Sequence, residues 1–407
     1  MIDQIIIRNF KAIGDSGELK LHPLTVFIGN NGTGKSSVLE ALRMLQSCVK
    51  DNLQEGFKEW GGLDRVHNYR EQGGDVKVTE AGFRKKSEGI FIMIQCSIDQ
   101  IHFEYNIKLN TNETGDFYVV ESENLYRDRK FVFEAKVIDN EGNGSCNFGF
   151  QSENKSSIKQ FDYKSNHLLL STIIASGLSR NFDEPISKMR NYILGWQFLH
   201  LNAHDMGKPV LQNRLEKDIE LSYDGRNIAE YVLWLRTQSE DYVNGLINRL
   251  QFVLPYLQKL QPNITGSINP EVELLMHEDH PQSRALPGWL LSSGTLRIAA
   301  LLSMFDSPKP PSVLFIDEIE NGLDPRTIGF LIEEIRNAVQ QENPMQVICT
   351  THSPYLLDLI PLENIIVTER GERGSQFYFP GNDEALRVWK EKFSPGKLYT
   401  IGKLNKD

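Results

Sequence analysis

Gly29-Asn30-Asn31-Gly32-Thr33-Gly34-Lys35-Ser36 is the stretch that decides the fold. It reads G-x-x-x-x-G-K-S, a loop whose amides and lysine cradle phosphate when it joins a strand to a helix. The flanks supply that context. Leu24-Thr25-Val26-Phe27-Ile28 is an apolar, β-branched run that predicts a buried strand. Behind the loop, Val38, Leu39, Leu42 and Leu45 recur at helical spacing. Glycines at 29, 32 and 34 are expected to admit backbone angles that a Cβ forbids. The amides from Asn31 to Ser36 then turn toward an anion, helped by the helix N-terminus. Asn30, Thr33 and Ser37 complete the expected nucleotide-binding set. Lys35 is placed to reach the β- and γ-phosphates, and the Ser36 hydroxyl to ligate Mg²⁺. The plain alternative is a glycine-rich turn before a helix, and the flanking strand weighs against it.

The chain has 407 residues, enough for several lobes with their own cores. A net charge of −10 gives no global basic field for nucleic acid, and only a local basic groove would serve. Cys48, Cys96, Cys146 and Cys349 are scattered without a C-x-x-C pair, which argues against zinc or a disulfide framework and fits a reducing cytoplasm. There is no basic-then-apolar leader at the N-terminus and no apolar run of about 18 residues, so no membrane span is expected.

Ile5-Ile6-Ile7 opens a strand, and Glu18-Leu19-Lys20-Leu21 reads as its hairpin partner, giving two strands before the loop. Arg8 or Lys11 lies near a nucleotide or simply solvates a strand end, two readings of equal weight. From Asp75 to Gln151 short alternating runs follow: Val76–Val78, Ile90–Ile94, Ile101–Tyr105, Phe117–Val120 and Phe131–Phe133, parted by turns at Asn110–Asn112 and Asp139–Gly144. This predicts an antiparallel meander in one sheet. Residues 167–195 read as helical, and Trp196–Leu201 as a strand. Gln197 is a weak candidate for touching Mg²⁺ or water, with a surface glutamine the stronger reading. Asn227–Leu260 reads as helical, broken or kinked at Pro255. No heptad run is long enough for a coiled coil.

Three signals follow near the other end. Leu291-Ser292-Ser293-Gly294-Thr295 precedes an apolar run, Ile298 to Leu302, and reads as a serine-capped helix start with bare amides. Taken alone, an ordinary N-cap accounts for it equally well. Val313-Leu314-Phe315-Ile316-Asp317-Glu318 is a buried strand ending in two carboxylates. Placed beside the loop strand, it would set Asp317 to hold Mg²⁺ through water and Glu318 to act as general base on a water at the γ-phosphate. Gly322-Leu323-Asp324-Pro325 is a tight turn. Gln346–Thr351 is another buried strand, with His352-Ser353-Pro354 at its end, where ligands of parallel sheets gather.

In this order the motifs G-N-N-G-T-G-K-S, L-S-S-G-T, V-L-F-I-D-E, G-L-D-P and T-T-H-S-P-Y-L-L resemble those of the ABC-type ATPases, in the branch of RecF, the SMC proteins and the OLD-family nucleases. The chain is most similar to the compact bacterial "AAA family ATPase" proteins, which lack a coiled coil and a Toprim domain. The resemblance implies an α/β P-loop NTPase head with a mostly parallel core sheet, an antiparallel β meander and a helical insertion. It divides the chain into 1–65 (Walker A part of the head), 66–210 (β-rich lobe), 211–265 (helical insertion) and 266–407 (signature, Walker B, D-loop and H-loop). It implies ATP sandwiched in a head-to-tail homodimer or higher oligomer. Ser292, Ser293 and Gly294 would then meet the partner's γ-phosphate, Asp324 would lie at the interface as the D-loop, and His352 would contact the γ-phosphate in cis.

The function expected is a cytoplasmic Mg-ATPase that switches a separate effector protein, such as a nuclease, in antiphage defence or DNA repair. The rival readings are an OLD-like nuclease or an SMC/RecF-like DNA-binding repair ATPase, a transporter's ATPase subunit, and a non-hydrolysing ATP-dependent scaffold. Only about 50 residues follow His352, too few for an added Toprim domain, and they carry no Asp-x-Asp.

Overall fold

The computed structural model describes residues 1–68, 88–111, 118–137, 143–152, 155–164, 166–172, 180–213, 217–280, 284–341, 344–383, 386 and 392–404. At its centre is a six-stranded sheet ordered Trp196–Leu199, Val313–Ile316, Gln346–Thr351, Leu24–Ile28, Ile365–Arg370, Ser375–Tyr378. The first five strands are parallel, and the last returns antiparallel. Leu24–Ile28, Val313–Ile316 and Gln346–Thr351 are buried at every position, which is why none reads as an alternating apolar–polar run.

The two faces of this sheet feed two separate cores. Phe27, Phe315, Ile348 and Ile366 face the helix Lys35–Lys50, through Val38, Leu42 and Leu45. Val26, Leu314, Val347 and Ile365 face the helices Ser293–Phe305 and Pro325–Val339. The phosphate-loop helix and the L-S-S-G-T helix therefore lie on opposite faces.

Over the first core lies the expected antiparallel meander, within a nine-stranded sheet. Its strands Ile90–Ile98, Ile101–Thr111, Tyr118–Arg127, Lys130–Val137, Asn143–Ser152 and Lys155–Lys164 pair in succession. Val76–Val78 falls outside the described residues. Asn110 and Thr111 end a strand, and Asn143 and Gly144 open one, instead of lying in turns. The strand Ile2–Phe10 continues this sheet and pairs with both Ile13–Asp15 and Leu19–Lys20. Three short strands thus precede the loop strand where two were expected.

The stretch 227–260 is not helical throughout. Helices Ile228–Gln238 and Glu240–Val253 are separated at Ser239, whose side chain caps the second. Beyond Pro255, Leu257–Thr265 is a strand pairing with Glu271–Glu278 in a third, four-stranded sheet. The helical reading of 167–195 resolves into Leu169–Thr172 and Arg180–Leu194.

One buried carboxylate ties the meander to the segment beneath it. Glu123, wholly buried, accepts from the Tyr105 hydroxyl at 2.8 Å and from the Leu169 and Leu170 amides at 2.6 and 3.2 Å. Burial raises its pKa to about 7, against those hydrogen bonds, which lower it. The folded value lies above the unfolded one, so the folded chain holds the extra proton between the two. The stability tied to this proton is complete below the unfolded value, near 4.5, and is lost as pH rises through about 7. Melting temperature should fall between pH 5 and 8, by a contribution of at most ~3 kcal/mol. Glu123→Gln should flatten that fall, and an unchanged slope in the variant would place the titration elsewhere.

Candidate active site

Gly32 and Gly34 adopt φ of 75° and 105°, the left-handed region expected of them. Gly29 is a glycine for a different reason. A Cβ there would sit 2.0 Å from the Thr368 carbonyl oxygen on the neighbouring strand, so close backbone approach, not an unusual angle, excludes a side chain. Thr33 closes the loop, its hydroxyl donating to the Asn30 carbonyl at 2.9 Å. Lys35 is 5% exposed and donates to the Gly29 and Asn30 carbonyls at 2.8 and 3.0 Å. Burial lowers its pKa, while Asp317, Glu318 and Glu320 pull it back up.

The carboxylate strand Val313–Ile316 is not beside the loop strand. Gln346–Thr351 runs between them. Asp317 nevertheless reaches the loop, because it lies past the strand end: Ser36 Oγ donates to its Oδ1 at 2.9 Å. Thr350 Oγ1, from the intervening strand, donates to the same oxygen at 2.5 Å. Burial acts to raise the Asp317 pKa, but contacts from His200, Thr350 and Ser36 together hold it below the ordinary carboxylate value. Glu318 has φ 53°, a conformation that costs a residue with a Cβ roughly 1–2 kcal/mol. Its amide donates to Thr350 Oγ1 at 2.8 Å, and its Oε2 accepts from the Asn321 side chain at 3.3 Å.

His352 follows the middle strand, its amide held by Glu320 Oε1 at 2.6 Å. Gln197 does not join this group. Trp196 and Phe198 enter the core under the loop helix, while Gln197 turns to the other face and donates to the Leu221 carbonyl at 2.8 Å. The residue that does arrive from this strand is His200, just past its end, with Nδ1 3.3 Å from Asp317 Oδ2, an ion contact rather than an aligned hydrogen bond. Asp317 raises the imidazole's pKa against burial, which lowers it. Sequence reasoning missed His200, although the strand-end argument that selected His352 applies equally to it. Tyr223 stacks near His200, and Arg43 of the loop helix lies 3.5 Å from the Tyr223 ring centroid. Lys11 pairs with Glu40 of the same helix at 2.7 Å, and Arg8 with Asp15 at 2.9 Å.

Ser292 caps Ser293–Phe305 as expected, its Oγ accepting the Thr295 amide at 3.0 Å. Ser292 and Ser293 are exposed. A Cβ on Gly294 would lie 2.6 Å from the Gly322 carbonyl oxygen, so this loop rests directly on the turn after Glu318. Arg297 fastens the same contact, donating to the Asn321 carbonyl at 2.8 Å. Asp324 caps Pro325–Val339, accepting the Arg326 and Thr327 amides at 3.0 and 3.2 Å.

Ser36 and Asp317 form a hard, oxygen-only pair that suits Mg²⁺, an ion that keeps waters and takes phosphate oxygens for its remaining positions. Among the described residues no cluster of three or more His, Cys, Asp or Glu forms a self-sufficient metal cage, as an ion shared with a nucleotide would not need one.

Fold and site together define a P-loop head of the AAA type, with the fold of the SMC head domains. The chain belongs to the AAA_21 family, described as "AAA domain, putative AbiEii toxin, Type IV TA system", which matches residues 24–358. Among solved structures it is similar to an SMC head bound to the C-terminal winged-helix domain of ScpA, at 12% identity and TM-score 0.51, over 93% of this chain and 97% of that one. A second similar structure is the SMC head with an extended coiled coil bound to the C-terminal domain of ScpA, derived from Pyrococcus furiosus, at 12% identity and TM-score 0.49, over 96% and 98%. No curated protein matches the chain. Among the described residues no helix is long and apolar enough to cross a membrane.

The two glycine constraints predict different costs. Gly32→Ala meets open space and only an unfavourable angle, about 1 kcal/mol. Gly29→Ala must displace a backbone carbonyl and should cost more. Urea titration of both variants checks the order, and its reversal would refute the close-approach account of Gly29.

Proposed function

We propose that the chain binds Mg-ATP at Gly29–Ser37 and hydrolyses it in a head-to-tail dimer, as a switch that controls a separate effector. The observation that carries the nucleotide reading is the convergence of Ser36, Asp317, Glu318 and His352 at the carboxyl ends of neighbouring parallel strands. Lys35 and the loop amides hold the β- and γ-phosphates. Ser36, and Asp317 through water, would hold Mg²⁺, which when bound would supply positive charge against the phosphate oxygens. Glu318 takes the proton of the attacking water as the bond from the γ-phosphorus to the bridging oxygen breaks, leaving ADP and phosphate. His352 steadies the γ-phosphate from the adjoining strand end.

The dimer is supported by the placement of the signature. Its helix packs on the sheet face opposite the loop helix, with Ser292 and Ser293 exposed and free to meet a second copy. In that arrangement Ser292, Ser293 and Gly294 complete the partner's site, and Asp324 lies at the seam. Control of a separate protein is supported by the SMC heads, which are seen bound to ScpA, and a role in defence by the family's description. The four-part division of the chain into head, β-rich lobe, helical insertion and returning head belongs to this reading.

Lys35→Ala should abolish nucleotide binding in a fluorescent-nucleotide titration. Glu318→Gln should bind ATP normally yet turn over at least ~10²-fold more slowly; wild-type turnover would remove Glu318 as the base. Ser292→Arg should stay monomeric with ATP in light scattering while binding nucleotide as the wild type does. Equal ATP-induced mass for the two proteins would refute the shared site.

A further inference from the structure

The strand order sets a problem that the Mg-ATP reading leaves open. The loop helix and the carboxylate strand must act on one ion and one water, yet Gln346–Thr351 separates their strands. Ser36 reaches Asp317 across that gap, and the middle strand, paired to both, can fix the one against the other. Thr350 is wholly buried and has the connections to do so.

Its hydroxyl works in both directions at once. It donates to Asp317 Oδ1 at 2.5 Å and accepts the Glu318 amide at 2.8 Å. A hydroxyl has one proton to give and lone pairs to receive, so both uses are compatible. The Thr350 carbonyl then accepts the Ile319 amide at 3.2 Å. Three consecutive residues, Asp317, Glu318 and Ile319, are thereby tied to one threonine. With Ser36 on Oδ1 as well and His200 facing Oδ2, the Asp317 carboxylate has little freedom to rotate. Glu318, at φ 53°, is held in a backbone conformation that its side chain disfavours, and its amide is anchored at that turn by the threonine hydroxyl.

We infer that Thr350 is a positioning residue for the hydrolysis, its hydroxyl setting the carboxylate plane of Asp317 and the left-handed turn of Glu318 as one unit. It touches neither nucleotide nor water, and acts through those two residues. The inference rests on the Mg-ATP reading and adds to it a role for the strand between the two motifs.

A threonine that merely packs would behave differently, and substitution separates the two cases. Thr350→Val keeps the shape and loses the hydroxyl. Thr350→Ser keeps the hydroxyl and loses the methyl. If Thr350 only packed, serine would be the worse replacement; if its hydroxyl positions, valine is. Steady-state hydrolysis should show kcat lowered at least about tenfold in the valine variant, with KM for ATP little changed, and kcat within about twofold of wild type in the serine variant. A second readout needs no turnover. The Mg²⁺ concentration that half-saturates the metal-dependent part of fluorescent-nucleotide binding should rise severalfold for valine and stay put for serine. Should the valine variant fail to fold, Thr350→Ala against Thr350→Ser gives the same comparison at nearly equal volume. Equal kcat and equal Mg²⁺ midpoints for the hydroxyl and non-hydroxyl variants would overturn the assignment while leaving the ATPase reading intact. A wild-type chain that binds no nucleotide would overturn both.

Discussion

One oxygen atom joins the two halves of the site. Asp317 Oδ1 receives hydroxyls from Ser36, 281 residues earlier, and from Thr350, 33 residues later. A carboxylate in so buried a place carries a desolvation cost, and these hydrogen bonds offset it. The direction of the Asp317 pKa records the outcome, because the bonds overcome burial and the ionised form is favoured. The charge that a metal needs is therefore standing ready, and it stands where the P-loop helix begins.

The sheet around this oxygen acts as a partition. Its one face carries the P-loop helix and, above that, the antiparallel sheet; its other face carries Ser293–Phe305 and Pro325–Val339. The loops of that second face meet at the sheet's carboxyl edge. There Gly294 lies against the Gly322 carbonyl, and Arg297 holds Asn321, three residues beyond Glu318. In the first, a side chain on Gly294 would strike backbone. Leu291–Thr295 and the turn carrying Glu318 thus rest on one another at the edge of one face.

Much of this was legible in the residues. G-N-N-G-T-G-K-S between an apolar strand and a helix, L-S-S-G-T before an apolar run, and buried strands ending in Asp-Glu and in His all fell where expected, because each couples a strong local pattern to a sharp boundary. The lateral order of the strands was hidden, since adjacency in a parallel sheet leaves no trace in any single strand. Gln197 stands between two readings, with the surface glutamine preferred, for a related reason. In Trp196-Gln197-Phe198-Leu199 the neighbours are apolar on both faces, so nothing in the stretch says which face the glutamine takes. The start of Leu257–Thr265, as far as Leu260, was absorbed into the preceding helix because Gln258 and Lys259 interrupt its apolar positions and blur the period. Thr350 passed as an ordinary β-branched strand residue, and only the geometry around it reveals what its hydroxyl meets.

The central position of Leu24–Ile28 bears on how the chain is made. Both of its hydrogen-bonded neighbours, Gln346–Thr351 and Ile365–Arg370, emerge from the ribosome more than 300 residues later. Until they emerge, this strand, buried at every position in the fold, has two open edges, a template for wrong pairing. Meanwhile the meander, built from neighbour-to-neighbour hairpins, has everything it needs to assemble early. The nascent protein should therefore acquire its β-rich lobe well before it acquires any pocket for a nucleotide, which closes only after Ile365–Arg370 has emerged.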